Sequence, residues 1–523
     1  MNLVKSIRLK NLRSLRDTGD IEMKPITLLV GKNSVGKSTF ARTFPLIRQS
    51  CAEEKRAPIL WYGKLVDFGD FKTVVNRSVE DKFIEFSFTV DSKNIVENLN
   101  NNLRRHSQTN TNSYSDTKFS LRVEENEGNT FASYLKIEIL DQEFEINIGK
   151  DGKVDTIKFN NSVWDKTFCK DKGISFLAIQ KDFLPFIRIY KMKEKEIYPD
   201  RGFFQNLLFN ELEKIIKNKN IKKETLDRIV RQIPFDRKEI IYNYLLSETR
   251  LKSIKKAIEE LTLDSEIFTN FCALIYLSKL DGITFYLDEN ISRYFSNIHY
   301  LEPLRATAQR YYRRQELAVD EIDSKGSNIA MFVDSLNTDE LKSLKTMMST
   351  HFGIEVQPKR DEGHIALTLS HTNNVFDKET NLADLGVGYS QILPFIIQLW
   401  AATERKNRGN RKASNFWNIR SSGKCFIIEQ PELHLHPAYQ AKIADVISIV
   451  SNKNIDNFNI IMETHSPHLI YRFGELIEEG TLSPDNIQVL IFNEKDGYSE
   501  VDTAYFDEEG MLKNWPAGFF QSL

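Results

Sequence analysis

The sequence predicts an α/β fold, a phosphate-loop core interrupted by a β-rich lobe and an inserted helical arm. Three observations predict it. The apolar run ITLLV (26–30) leads into the glycine-rich GKNSVGKS (31–38) and then a helical pattern. Two more strand candidates, SGKCFIIEQ and NFNIIMET, lie far downstream and end in polar residues. Between these ends, alternating strand patterns give way to lysine-rich helical spacing.

In chain order, SIRLKNLRSLR (6–16) alternates apolar and polar residues and reads as one strand. Behind the phosphate loop, Pro45 is expected to kink or end the following helix. FIEFSFTV, FSLRVEE, YLKIEIL and EFEINIG read as strands between about 83 and 160. The polar stretch 98–117 reads as a mobile loop. From about 178 to 295 the pattern turns helical. Residues 186–260 hold 18 Lys/Arg against 12 Asp/Glu, an excess that suits solvated helix faces or a DNA- or partner-binding arm. No heptad register is sustained, so no long coiled coil is expected. Beyond 300, SQILPFIIQLWAATER and AYQAKIADVISIVSN read as helices, and NIQVLIFNEKDGYSEV as a hairpin. The organisation expected is an N-terminal lobe over 1–165, a helical insertion over 166–295 and a C-terminal lobe over 296–523.

Bulk properties narrow the class. A chain of 523 residues is too long for one compact core. Its net charge of −2 confines any nucleic-acid surface to a local patch, for which Arg305, Arg310, Arg313 and Arg314 are candidates. Four scattered cysteines without a CxxC pair argue against a zinc ribbon or a disulfide framework and suit a reducing cytoplasm. The N-terminus carries no apolar signal region, and no run of about 18 apolar residues exists to span a membrane. The expected location is cytoplasmic, with no membrane partner.

GKNSVGKS fits G-x-x-x-x-G-K-[ST] in full and has the strand-then-helix context that motif needs. Gly31, Lys32, Asn33, Ser34, Val35, Gly36, Lys37, Ser38 and Thr39 are the expected phosphate cradle. Its backbone N–H groups and helix N-terminus attract anionic oxygens. Lys37 is placed to reach the β- and γ-phosphates of a nucleotide, and Ser38 to ligate Mg²⁺. Downstream, NLADLGVGYSQILP (381–394) has Gly386, Gly388 and Ser390 opening an apolar helix, another anion-binding arrangement, with Pro394 expected near the first turn. His434, His436, His465 and His468 are the candidate zinc ligands, but H-x-H before a helix fixes no third ligand.

Together, NLRSL, GKNSVGKS, YGKLVDFGDF, HYLEPLRATAQRYY, DLGVGYSQILP, FIIEQPELHLHP, METHSPHLI and NWPAGFF resemble the OLD/Rad50/SMC group of ABC-type ATPase heads. Within that group they are most similar to prokaryotic antiphage-defence ATPases of the PtuA kind, from Septu and retron-associated systems, with AriA of PARIS a near alternative. The resemblance implies a P-loop NTPase fold of ABC-head type, with ATP and Mg²⁺ as cofactors. It implies that Arg13 approaches the nucleotide. Gly388, Ser390 and Gln391 would form a divergent signature motif capping ATP on the opposite subunit. It places Glu429 as the magnesium-side Walker B acid, Leu435 and His436 on the D-loop, and His465 as the switch histidine.

The catalytic set implied is Lys37, Glu429, Gln430 and His465, with Ser38 and Glu429 on the metal. Gln430 occupies the position where the group usually has a second acid. A glutamine can orient water but cannot take its proton as a carboxylate does. Three explanations stay open. Glu432 or His465 supplies the base and turnover is slow; the site is mainly an ATP clamp; or the residue is a substitution made to trap ATP. The E-Q-P-E and H-L-H-P form occurs among the resembled proteins, which favours the first two.

The resemblance further implies a head-to-tail dimer or higher oligomer, with a separate HNH-type nuclease subunit under its control. A retron reverse transcriptase with its nucleic acid, or DNA itself, would be a further partner. Only 58 residues follow His465 in the 523-residue chain, too few for a nuclease domain of about 100 residues in cis. The alternatives are a DNA-repair ATPase of RecF type and an ATP-clamped scaffold without real turnover.

Overall fold

The computed structural model describes residues 3–100, 116–160, 162–193, 196–199, 202–216, 223–248, 252–315, 319, 321–372, 379–404, 423–453, 458–516 and 519. Among them, one 16-stranded sheet runs through both ends of the chain. Five parallel strands form the part that carries the phosphate loop, in the order Ile487–Lys495, Ile26–Gly31, Phe458–Glu463, Lys424–Glu429, Ile298–Leu301. The Glu463 strand therefore lies between the phosphate-loop strand and the Glu429 strand.

These strands are buried on both faces, which is why they read as unbroken apolar runs. Alternate residues feed two cores. Leu29, Ile427, Ile461 and Leu490 pack with the N-terminal lobe, while Leu28, Val30, Phe426, Ile428, Ile460 and Met462 pack with the C-terminal lobe. The expected hairpin forms from Ile487–Lys495 and Tyr498–Phe506. Its second strand meets Leu15 and carries the sheet into an antiparallel meander that ends at Asp165.

The expected strands between 83 and 160 are Ile84–Val90, Thr117–Asn126, Asn129–Ile139 and Gln142–Ile148. The stretch SIRLKNLRSLR differs from its reading as one strand. Val4–Leu12 turns back into Leu15–Asp17, and Asn11 and Arg13 take positive φ of 59° and 51° in the bend. In the expected loop at 98–117, Asn98–Asn100 close a helix and Thr117 opens a strand, while 101–115 lie outside the described residues.

After a short helix, Lys166–Asp171, the insertion runs into strands where helices were expected, Ile174–Gln180, Pro185–Lys193 and Glu196–Pro199 in one antiparallel sheet. ISFLAIQ is mostly apolar and PFIRIYKMK places Arg188 and Lys191 among apolar residues, a strand signal that the lysine-rich helical pattern after it conceals. Helices follow from Phe203 to Ser296. The last of them, Leu280–Ser296, joins the parts: Phe295 packs on Phe44 of the phosphate-loop helix and on Phe88 of the β-rich lobe. From the same helix, buried Asp288 accepts hydrogen bonds from the Phe183 and Leu184 N–H groups at 2.8 and 2.6 Å.

Of the expectations about proline, a helix end at Pro45 and a first-turn place for Pro394 are corrected. The phosphate-loop helix continues through Pro45 to Ala52. Pro394 sits well inside the helix Val387–Glu404, its ring facing Gly326, where a Cβ would come within 2.5 Å. Both helices are packed in the core, so tertiary contacts offset the backbone hydrogen bond each proline removes.

Candidate functional site

The parallel strands deliver their carboxyl ends to one edge, where open α/β sheets bind ligands. The phosphate loop projects from that edge. Lys32, Asn33 and Ser34 are exposed at its tip, while Val35 and Gly36 are buried beneath. Its backbone needs glycine at two places. Gly31 has φ 146° and lies against Phe492, whose carbonyl oxygen would be 2.3 Å from an added Cβ. Gly36 has φ 98° and turns the chain into the helix over Leu15 and Ser14.

Lys37 is 3% exposed and folds back on its own loop, donating to the Gly31 and Lys32 carbonyls at 3.0 and 2.6 Å. Burial pulls its pKa down and the nearby Glu463 opposes that shift. The Ser38 hydroxyl donates to Glu463 Oε2 at 2.7 Å, and Lys37 Nζ stands 3.8 Å from Glu463 Oε1. Thr39 is buried one residue on.

Glu429 and Glu463 are direct neighbours across two parallel strands. Glu429, 2% exposed, receives Arg42 Nε on Oε1 and Arg42 Nη2 on Oε2, both at 2.8 Å, and the Tyr300 hydroxyl on Oε1 at 2.6 Å. Sequence reasoning did not single out Glu463, Arg42 or Tyr300. A signal existed for Arg42, four residues after Ser38 and so on the same helix face. Glu463 caps a wholly buried run, where any polar residue must face the strand-end edge.

Gln430 follows Glu429 with φ 45°, and its N–H donates to the Glu463 carbonyl at 2.8 Å. This positive φ turns the chain sharply off the strand and into the turn that holds Glu432, Leu435 and His436. Glu432 is buried, and burial raises its pKa. Its Oε1 accepts the His465 N–H at 2.6 Å, and its Oε2 has no hydrogen-bond partner among the described residues. The His465 ring is exposed at the same edge, and burial of its base together with Lys37 lowers its pKa.

Arg305 is not the surface cation its sequence neighbourhood suggests. It is 5% exposed, and burial lowers its pKa to about 10 against the pull of Glu432 and Glu429. Arg310 is paired with Asp384, and Arg314 stands 3.8 Å from Asp334.

The glycine-rich helix entry at 386–391 packs against the turn after Gln430 within the same chain. A Cβ on Gly388 would meet the His434 carbonyl oxygen at 2.9 Å. Ser390 is buried, its hydroxyl donating to the Val387 carbonyl at 2.7 Å. The Gln391 amide exchanges two hydrogen bonds of 3.2 Å with the Arg305 backbone, so its polar end is turned inward. Arg13 leans over the Phe68 ring, 4.4 Å from its centroid, and its pKa is lowered by burial and by Arg42.

Oxygen donors and basic groups thus converge at one edge. Ser38, Glu463 and Glu429 are hard oxygen ligands of the kind Mg²⁺ takes alongside phosphates, so the residues present fit that ion. Among the described residues no cluster of His, Cys, Asp and Glu is arranged to hold a metal by itself, which bears on the zinc alternative only. No helix among them is long and apolar enough to cross a membrane.

A family model described as AAA ATPase domain matches residues 1–470. No curated protein matches the chain. Among solved structures, the Smc head bound to the C-winged helix domain of ScpA aligns over 97% of this chain and 98% of its own. Identity is 9% and the TM-score 0.35. An Smc head with an extended coiled coil, bound to the C-terminal domain of ScpA derived from Pyrococcus furiosus, aligns over 96% of both chains at 10% identity and TM-score 0.35. The SMC head domain from Thermotoga maritima aligns over 96% of this chain and 98% of its own at 9% identity and TM-score 0.30.

Proposed function

The chain belongs to the AAA ATPase domain family, and from that premise we propose that it is a slow, Mg²⁺-dependent ATPase using bound ATP as a conformational clamp. The observation that carries this reading is Gln430, seated directly after Glu429 on the edge shared with Lys37 and Ser38.

The triphosphate would lie in the 31–38 loop, where N–H groups and the helix N-terminus meet it. Lys37 exchanges its loop carbonyls for β- and γ-oxygens. Ser38 and a site carboxylate would hold Mg²⁺, which would supply charge neutralisation at those phosphates. Gln430 orients the attacking water. Glu432 or His465 takes the proton, Glu432 through its free Oε2 and His465 through a ring held neutral beside Lys37. Neither replaces a carboxylate at position 430, so turnover is slow and the ATP-bound state long-lived.

On the resemblance given by the ordered motifs, this clamp forms a head-to-tail dimer and controls a separate HNH-type nuclease subunit in antiphage defence. Affinity purification from the native host tests that part. A stoichiometric HNH-type protein, retained with ATP and released after its hydrolysis, is the expected result. A membrane transporter subunit in its place would overturn it.

A further inference from the structure

We propose that Glu463, the acid ending the strand between the phosphate loop and Glu429, is the carboxylate that holds the magnesium side of the ATP site. The inference rests on the ATP-binding reading above and assigns a role within it.

Strand order gives the first reason. Glu463 ends the strand hydrogen-bonded to the phosphate-loop strand, while Glu429 is one strand farther away, an added spacing of about 4.8 Å. The second reason is partner geometry. The hydroxyl expected to ligate the ion, Ser38 Oγ, is 2.7 Å from Glu463 Oε2. Replacing that hydroxyl proton contact with a shared cation keeps both oxygens where they are.

Glu429 is differently placed. Both its oxygens are filled by Arg42, and Oε1 also takes the Tyr300 hydroxyl. To reach the ion it would have to give up a bidentate, charge-assisted pair in a nearly water-free position, the strongest kind of hydrogen bond at the site. Glu463 gives up nothing comparable, since Lys37 Nζ at 3.8 Å is beyond hydrogen-bond range. In this arrangement Glu429 is a positioning residue that fixes Arg42 and Tyr300 beside the cleft.

The test is equilibrium ATP binding in excess EDTA and in excess Mg²⁺, repeated with Mn²⁺ followed by electron paramagnetic resonance. Wild-type chain, Glu463→Gln and Glu429→Gln are compared. The amide in Glu463→Gln still accepts from Ser38, so the strand end is kept. The wild type should bind ATP more tightly with metal. Glu463→Gln should keep the EDTA affinity and lose about tenfold or more of metal affinity, while Glu429→Gln keeps the metal-dependent gain. A gain retained in Glu463→Gln, or lost at least as fully in Glu429→Gln, overturns the assignment. Should Glu463→Gln also lose binding in EDTA, Glu463→Asp decides: a weakened gain supports the role and a full wild-type gain overturns it. Wild-type chain that binds no ATP under either condition would overturn the ATP-binding reading itself, and the inference with it.

Discussion

Arg42 grips Glu429 by both carboxylate oxygens, each at 2.8 Å, across the interface between the phosphate-loop helix and the central sheet. Glu429 is 2% exposed and Arg42 about one-third exposed at its side chain, 34%. Removing one partner of such a pair leaves an uncompensated charge. Arg42→Ala should therefore destabilise the chain by about 3 kcal/mol. Urea unfolding followed by tryptophan fluorescence checks this, and a midpoint equal to wild type would contradict it.

If the missing carboxylate limits hydrolysis, Gln430→Glu should raise steady-state phosphate release by about tenfold or more. The side chain keeps its length, and the positive φ is a property of the turn that both residues share. Unchanged turnover would place the rate-limiting proton transfer on Glu432 or His465, or on a step other than chemistry.

Gly31 is a backbone requirement of the fold. A methyl group there would come within 2.3 Å of the Phe492 carbonyl oxygen, on backbone with φ 146°. Neither strand can move without breaking the parallel ladder they share. Gly31→Ala should cost about 3 kcal/mol. Unfolding midpoints measure this without nucleotide, and wild-type stability would contradict the close approach.

Much of this was legible before the fold. The phosphate loop is a contiguous motif, and the buried parallel strands are continuous apolar runs, so 26–38, 425–430 and 459–465 announce themselves. Glu463 did not, because its importance comes from a strand inserted between two others, which is a tertiary fact. Gln391 entered only with the signature motif that the resemblance implies, and local sequence does not reveal that its amide bonds the Arg305 backbone. Arg305 looked like one of several surface arginines, since local sequence does not reveal that its loop dives under Glu432. The strands at 174–199 were missed because the lysine-rich helical pattern that follows set the reading of the whole stretch.

Glu321 provides a pH test away from the nucleotide. Burial would raise its carboxyl, but hydrogen bonds from His299 and Arg48 outweigh that and hold its pKa at about 2, below the ordinary 4.5. A depressed carboxyl contributes stability that is present above 4.5 and lost as pH falls through about 2. Glu321→Gln should be less stable than wild type by about 2 kcal/mol at neutral pH. The gap should narrow as pH falls below 4.5. Urea midpoints at pH 7 and pH 4 measure it, and a gap that widens on acidification would contradict the direction.

The central claim is that the 31–38 loop holds the phosphates of ATP. Isothermal titration of ATP into wild-type chain and Lys37→Ala, in Mg²⁺, tests it most directly. Wild type should bind at one site per chain, and Lys37→Ala should lose detectable binding while keeping its unfolding midpoint. Equal affinity in the two proteins would contradict the account.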